Sequence, residues 1–526
     1  MKRILFLFIV ISISVSFSSC KEDFLVLYPE TSITSASFYK TKTHFDQAIV
    51  SSYERVRTIA RTGMFMDEQR ADNCHFNFYS ADRGGFLNTE VVALFMDEAT
   101  TSYWNVDRYN DVYNGISRVN TILGRLDASE LTDAEKRSIS AEAKFLRAFY
   151  YFDLVTHWGP VPLMLKEVAA ASDAFVGNST VENVYAQILD DVTDAINDGL
   201  PEADRFPGSG RATLGAARML RAYANMSKPT RDYTTAESDL KAITNMIYGL
   251  EDNFADIFAL TNKNGKEIIF AAQYKDGPGG QHSDFPWMYI PKCANNSILM
   301  GFQAANTTQQ INGGWCVPTQ EFIDSFEPGD KRLSATIAVA QGTGTELVTV
   351  DEADPVLDIE GFVPQAGRDY HFFNRKYYHP PYGYDKQASD NFPFFRYADA
   401  LLLLAECLVE QNKASDAQPY LDQVRTRAGL GSVPATKQSV SDERRHELAF
   451  EHKRWTDLIR TGQAVSVMNA FGDYIKTIDK TLSPGTLLNE QSFKVTSEKL
   501  VYPFPIRELR LNSNLVQNPG YLSYTE

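Results

Sequence analysis

Ala141-Glu142-Ala143-Lys144-Phe145-Leu146-Arg147-Ala148-Phe149-Tyr150-Tyr151-Phe152-Asp153-Leu154 is the stretch whose reading decides the fold. It lies in a run from Ala134 to Trp158 that holds neither proline nor glycine and places apolar residues at helical steps. Phe145, Leu146, Phe149, Tyr150, Phe152 and Val155 cannot share one narrow stripe, so this helix is predicted to pack on several sides. Such a helix needs helical neighbours. Val181 to Leu200 supplies one, with Val181, Val184, Tyr185, Ile188, Val192, Ile196 and Leu200 at three- and four-residue steps. Ser179 with Glu182 reads as its capping box, and Gly199-Leu200-Pro201 as its stop. Thr213 to Met226 and Ala236 to Tyr248 follow; Tyr397 to Gln411, Ala414 to Ala428 and Ser441 to Arg460 come later. Helix pairs with short turns build tetratricopeptide-like solenoids, although that repeat's consensus is not visible here. The expected fold class is all-α.

Between about Thr261 and Phe392 helical periodicity fades and glycine, proline and asparagine become frequent. Short strand-like runs appear there, at Glu267 to Ala272 and Leu347 to Val350. The region is rich in aromatics rather than in the polar residues of disorder, and a long irregular stretch in a compact protein is usually functional. Residues 46–526 are therefore expected to form one domain: a helical part at 46–260, a loop-rich part at 261–392, and a helical part with a proline-bounded tail at 393–526.

The first 45 residues read differently. Lys2 and Arg3 precede an apolar run from Ile4 to Val15, too short for a bilayer that needs roughly 20 apolar residues. This is the layout of a secretory signal peptide, 1–19. Cys20 at its end resembles the lipobox of bacterial lipoproteins, in which the thiol is acylated and becomes residue one. Residues 20–45 are then a lipidated tether, and Lys21-Glu22-Asp23 opens it. The whole chain carries a net charge of −16, and about −18 without Lys2 and Arg3. That balance argues against nucleic acid and against electrostatic adhesion to anionic lipid. Four further cysteines, Cys74, Cys293, Cys316 and Cys407, are too scattered for a disulfide framework. A Cys293–Cys316 bridge closing an aromatic loop stays open.

Several runs, in order along most of the chain, resemble the SusD/RagB-like family of outer-membrane nutrient-binding lipoproteins of Bacteroidetes. They are Ala141 to Leu154 with Trp158-Gly159-Pro160-Val161-Pro162-Leu163, Arg396-Tyr397-Ala398-Asp399-Ala400 through Glu406, and Tyr420 to Leu430. Glu443 to Glu451 with Arg454 to Arg460, and Pro503-Phe504-Pro505-Ile506 with Gln517 to Tyr521, complete the set. The resemblance implies a SusD-like helical scaffold whose irregular segments bind ligand. It also implies an oligosaccharide ligand, a SusC-like TonB-dependent transporter as partner, and a place on the outer membrane. Lys21, Glu22 and Asp23 resemble the tag that sends such lipoproteins to the exterior face. Peptide capture within the same family and a lipid-anchored protein-interaction scaffold are the alternatives.

The chain shows no G-x-S-x-G nucleophile motif and no phosphate-cradling glycine loop, and 67 carboxylates are too many to single out an acid pair. Neither an enzyme nor a cofactor is expected. His446 and His452 lie six apart, where a zinc-binding helix needs four, so no metal is assigned. Glu447, Glu451, Arg454 and Asp457 read as ion pairs at helical steps that fix packing.

Sugars offer apolar ring faces and many hydroxyls, so a glycan site needs stiff aromatic rings beside amides and charges. Two stretches supply both. One holds Asp72, Asn73 and Tyr79 with Arg83; the other holds Trp287 and Tyr289, with Asn296 behind and Trp315 further on. Trp287 and Trp315 are the expected stacking platform. Tyr377, Tyr378, Tyr382 and Tyr384 form a second aromatic loop that could serve ligand or transporter, whereas Trp104, Trp158 and Trp455 read as scaffold.

Overall fold

The computed structural model describes residues 38–77, 87–101, 103–202, 210–301, 313–344, 348–383, 387–478 and 488–523. Cys20, Lys21, Glu22, Asp23, Tyr79, Arg83 and Tyr384 lie outside these residues.

Twelve of the helices carry the scaffold. They are α1 (Lys42–Tyr53), α2 (Val56–Gly63), α3 (Tyr103–Leu126), α4 (Asp133–Trp158), α5 (Val181–Asn197), α6 (Leu214–Ser227) and α7 (Tyr233–Thr244), then α8 (Tyr397–Glu410), α9 (Ala414–Ala428), α10 (Lys437–Glu447), α11 (Arg454–Arg460) and α12 (Ala464–Ile478). Thr132 opens α4 with a reciprocal capping box to Glu135, and Gly159 at φ +68° ends it. α3 and α5 pack on α4 from separate sides, with α1 and α6 against it as well. That surround buries Phe145, Leu146, Tyr150, Tyr151 and Trp158 alike. Neighbouring helices pack in pairs, α4 with α5, α6 with α7 and α8 with α9, and α8 also lies on α7. Helix pairing of the tetratricopeptide kind is thus the organising device.

Two caps differ from the expectation. Thr180, not Ser179, caps α5 by accepting from the Asn183 N–H at 3.3 Å. α7 begins at Tyr233 because Asp232 accepts from the Thr235 N–H at 3.0 Å.

The larger correction is that Ser441 to Arg460 is not one helix. α10 stops at Glu447, and Phe450 and His452 take φ values of +62° and +59° before α11 begins. The carbonyls at the end of α10 are taken by buried cations instead of a further helical turn. Arg396 donates to the Glu447 carbonyl at 2.6 Å, and Lys376 donates to the Ala449 carbonyl at 2.8 Å. The acidic residues of this segment are buried and ion-paired, but to partners distant in sequence. Glu447 meets Arg332, Arg396 and Arg427, while Glu451 meets Arg396 and Lys376. Arg454 turns to Asp72, and Asp457 pairs with Arg444 and, locally, with Arg460, which was outside the expected set.

The irregular region holds small antiparallel sheets. β1 (Cys74–His75) pairs with β3 (Val317–Pro318), and β2 (Ile268–Ala272) pairs with β8 (Phe392–Arg396). β4 (Ile337–Thr343) pairs with β5 (Thr349–Val350), β6 (Leu357–Asp358) and β7 (Asp369–Asn374), Ile337 opposite Asn374 and Gly342 opposite Asp369. One apolar core runs from Phe45 to Leu515, joining the helices to β2 and β8. The tail returns to the N-terminal half, where Asn518 donates to the Trp158 carbonyl and Tyr502 to the Met66 carbonyl.

Candidate functional site

The β1–β3 ladder joins the two stretches singled out by composition. Beyond β1, the Asn77 N–H donates to the Gly314 carbonyl at 2.9 Å, so the amide-rich stretch and the one leading to Trp315 meet side by side. A third segment closes on them: Asn77 Nδ2 lies 3.0 Å from His371 Nδ1 on β7. Burial pushes the His371 imidazole down to about 4, so the ring is neutral and can accept. Gly313, at φ +108°, passes so close to the Ile290 carbonyl that a β-carbon would sit 2.1 Å from its oxygen. The close pass lets the Gly314 N–H donate to the Ile290 carbonyl at 2.8 Å and the Trp315 N–H to the Met288 carbonyl at 3.3 Å, which presents Trp315 half-buried.

Trp315 ends a row of four rings. It meets Phe65 edge-on at 5.7 Å, Phe65 stacks on Trp104 at 4.1 Å, and Tyr103 leans on Trp104 at 4.3 Å. Tyr103 is 43% exposed at the outer end. Arg61 lies over the Trp104 ring at 5.2 Å, and its Nε donates to Asp284 at 2.9 Å. Phe65 and Trp104 are themselves buried, so the row surfaces at its two ends, at Trp315 and at Tyr103, with the Arg61–Asp284 pair beside Trp104. Tyr103, Arg61, Asp284 and His371 are missing from the sequence-based set. Tyr103 could have been found there, since one residue of helix turns it about 100° away from Trp104.

Other expected site residues are placed elsewhere. Trp287 is 3% exposed, tilted against Tyr382 at 5.1 Å in a small core with Ile290, Leu299 and Phe373. It has no ring face for a sugar, because β4 and the segment carrying Tyr382 cover it. Tyr289 is 1% exposed and stacks on Tyr377. Asp72 is buried in a fork from Arg454, at 2.7 and 2.8 Å, with Arg445 at 3.3 Å. Burial alone would raise its pKa, but the two guanidinia outweigh that and hold it at about 2. Asn73 is also buried and accepts from Arg445, while Asn296 accepts from the Cys293 N–H. All five are scaffold, not platform. Tyr377 and Tyr382 are buried too, so that loop is not an exposed aromatic surface. His446 and His452 serve packing: His446 bonds Ser325 Oγ at 2.9 Å and His452 stacks on Phe392.

Beneath the ladder a π-helical turn, Met64–Glu68, ends in a buried carboxyl. Burial pushes Glu68 from an ordinary 4.5 up to about 8, although it accepts from the His452 N–H at 2.6 Å. The folded chain then holds a proton that the unfolded chain releases, so stability falls as pH rises from about 4.5 to about 8. Glu68→Gln keeps the side chain neutral and should flatten that slope, gaining about 4 kcal/mol at pH 8 relative to the parent. Urea unfolding at pH 5, 6.5 and 8 measures it; parallel curves for parent and variant would contradict the buried acid.

Two family models match this chain, one described as "SusD family" over residues 266–521 and one as "Starch-binding associating with outer membrane" over residues 23–217. The chain is 26% identical to SusD-like protein P25 of Formosa agariphila over 557 residues, covering 96% of this chain and 97% of that relative. A solved laminarin-binding SusD-like protein matches with a TM-score of 0.69 and 24% identity, over 92% of this chain and all (100%) of the other. Surface glycan-binding protein A of Bacteroides thetaiotaomicron, solved in complex with laminarihexaose, matches with a TM-score of 0.70 and 23% identity, over 90% and 99%. These likenesses establish the helical fold. SusD-like proteins are carbohydrate-binding and non-catalytic, and no enzyme activity is assigned here. With one model covering the N-terminal helices and the other the irregular region and C-terminal helices, the chain belongs to the SusD family.

Proposed function

We propose that the chain is a lipid-anchored protein of the cell exterior that captures an oligosaccharide and passes it to a SusC-like TonB-dependent transporter. Capture needs no chemistry on the glycan. The observation that carries the reading is Trp315 itself: a half-buried indole, fixed by the Gly313-Gly314 turn beside Asn77, at one end of a ring row whose far end bears Tyr103, Arg61 and Asp284. Flat rings cover the apolar face of a sugar, while the charged pair and Asn77 can replace water on its hydroxyls. Laminarin and laminarihexaose, bound by two proteins of this fold, are the first ligands to try.

The test is calorimetric titration of the chain from Lys21 onward with laminarihexaose, a starch oligosaccharide and a mixture of short peptides. Sugar binding without product formation is expected; peptide binding alone would overturn the reading. Covering one aromatic face is worth about 1.5–3 kcal/mol, so Trp315→Ala should weaken the sugar roughly 10- to 100-fold with only a small fall in melting temperature. Trp287→Ala should do the reverse. It empties a core site, at about 3–5 kcal/mol of stability, and any protein that still folds keeps its affinity. A Trp315→Ala protein that binds as tightly as the parent removes Trp315 from the site.

A further inference from the structure

We propose that His371 is a positioning residue for the candidate face: it holds the Asn77 carboxamide with its oxygen turned outward beside Trp315, so that the face takes a hydroxyl that donates. The inference rests on the glycan reading for what the amide meets, but not for how the amide is held.

Asn77 is fixed at two points. Its backbone N–H donates to the Gly314 carbonyl at 2.9 Å, one residue before Trp315. Its side chain meets β7, where Nδ2 lies 3.0 Å from His371 Nδ1. An amide nitrogen donates and does not accept, so with Nδ2 against the ring Nδ1 is the acceptor and the ring proton sits on Nε2. Among the described residues Nε2 has no hydrogen-bond partner, so the one hydrogen bond of this ring goes to Asn77. Asn77 is itself half-buried, and among the described residues nothing donates to its Oδ1, which is left for a ligand. A sugar stacked on Trp315 presents hydroxyls at its rim, and Oδ1 can accept from one of them.

The charge of the ring decides which way the amide faces. Burial pushes the His371 pKa down to about 4, against a smaller upward pull from Asp369 on its own strand. Asp369 is the one charge that acts on the ring among the described residues. Ala340 lies opposite on β4, and β3, packed alongside β7, brings Val317 and Pro318. Above that pH the ring is neutral and accepts from Nδ2. Below it both ring nitrogens carry protons and the ring can only donate. The amide must then turn over, with Oδ1 against the ring and Nδ2 on the face. A hydroxyl that was bound through its proton now meets another donor.

The test uses the full chain solubilised in detergent, as parent, His371→Ala, Asn77→Ala, their double variant and His371→Asn. Asparagine places an acceptor oxygen near the position of Nδ1 but does not titrate. In calorimetry with laminarihexaose at pH 6, the two alanine variants should each bind roughly three- to tenfold more weakly than the parent. The double variant should be no weaker than either, and His371→Asn should match the parent. At pH 3.5 the parent should lose about threefold, and His371→Asn should lose nothing. Alanine losses that add in the double variant, or parent and His371→Asn affinities that fall together on acidification, overturn the proposal. Amide NMR on ligand-free protein carrying isotope-labelled asparagine separates this from the glycan reading. The side-chain amide pair missing from Asn77→Ala should shift in the parent with a midpoint near pH 4 and stay put in His371→Asn. A parent that shows this shift yet binds no sugar sinks the glycan reading and leaves the hold on Asn77 standing. An Asn77 pair that ignores pH sinks the hold itself.

Discussion

Arg396→Met is expected to leave little or no folded protein, and any that survives should be destabilised by about 3–5 kcal/mol. Arg396 is 1% exposed and supplies the positive charge shared by three buried carboxylates. Its Nη1 donates to Glu267 at 2.7 Å and to Glu447 at 2.5 Å, and its Nε donates to Glu451 at 2.6 Å. Burial drives the Glu447 pKa upward, but Arg427, Arg396 and Arg332 together outweigh it and hold the group well below the usual carboxylate range. Methionine fills similar volume, so the loss is electrostatic rather than a cavity. Arg427 and Lys376 remain, but neither reaches all three acids. The break after α10 would go as well, since Arg396 also caps the Glu447 carbonyl. Arg396→Lys should rescue little, because a point charge with rotating donors cannot copy a planar fork with three partners. Soluble yield and the urea midpoint decide the matter. A methionine variant within about 1 kcal/mol of the parent would mean that these acids are neutral in the folded protein.

That network also shows where sequence reading stops. The positions 447, 451, 454 and 457 carry the right charges for a local ladder, and local pairs are all that spacing can reveal. The real partners of Glu447 and Glu451, namely Arg332, Lys376, Arg396 and Arg427, stand between 20 and 115 residues away. Nothing local signals the positive φ of Phe450 and His452 either, for neither is glycine or asparagine; the tertiary ion cluster imposes it. α4 was legible for the opposite reason. Its apolar residues encircle the axis, and that pattern alone demands neighbours on every side.

The candidate face was half legible. Composition found the two segments that meet at Asn77 and Gly314, because aromatics beside amides are visible in any window. It could not tell Trp287 from Trp315. Both are indoles in irregular sequence, and what separates them is cover contributed by Phe373 and Tyr382, far along the chain. β5 falls in the strand-like run Leu347 to Val350, but β4, β6 and β7 hid in the irregular region because β4 pairs with β6 and β7 across a long loop and β6 is two residues long.

Cys20→Ala is expected to move the protein completely from the membrane fraction to the soluble fraction while leaving its melting temperature and sugar affinity intact. The proposed anchor is acyl chain on the Cys20 sulfur, worth about 0.8 kcal/mol per buried CH₂, and stable attachment takes more than one chain. No second attachment is evident to soften the loss. Among the described residues no helix is long and apolar enough to cross a membrane, and a net charge of −16 repels an anionic leaflet rather than adhering to it. Fold and face should be indifferent, because Cys20 lies well before Phe45, the first core residue among the described residues. A variant with Lys21, Glu22 and Asp23 all changed to alanine separates anchoring from orientation: it should stay in the outer-membrane fraction yet become resistant to protease added to intact cells. Cys20→Ala protein that still sediments with membranes after a high-salt wash would place the attachment elsewhere in the chain. Alanine-tag protein that proteases still shave would leave the lipid in place and remove those three residues from the choice of face.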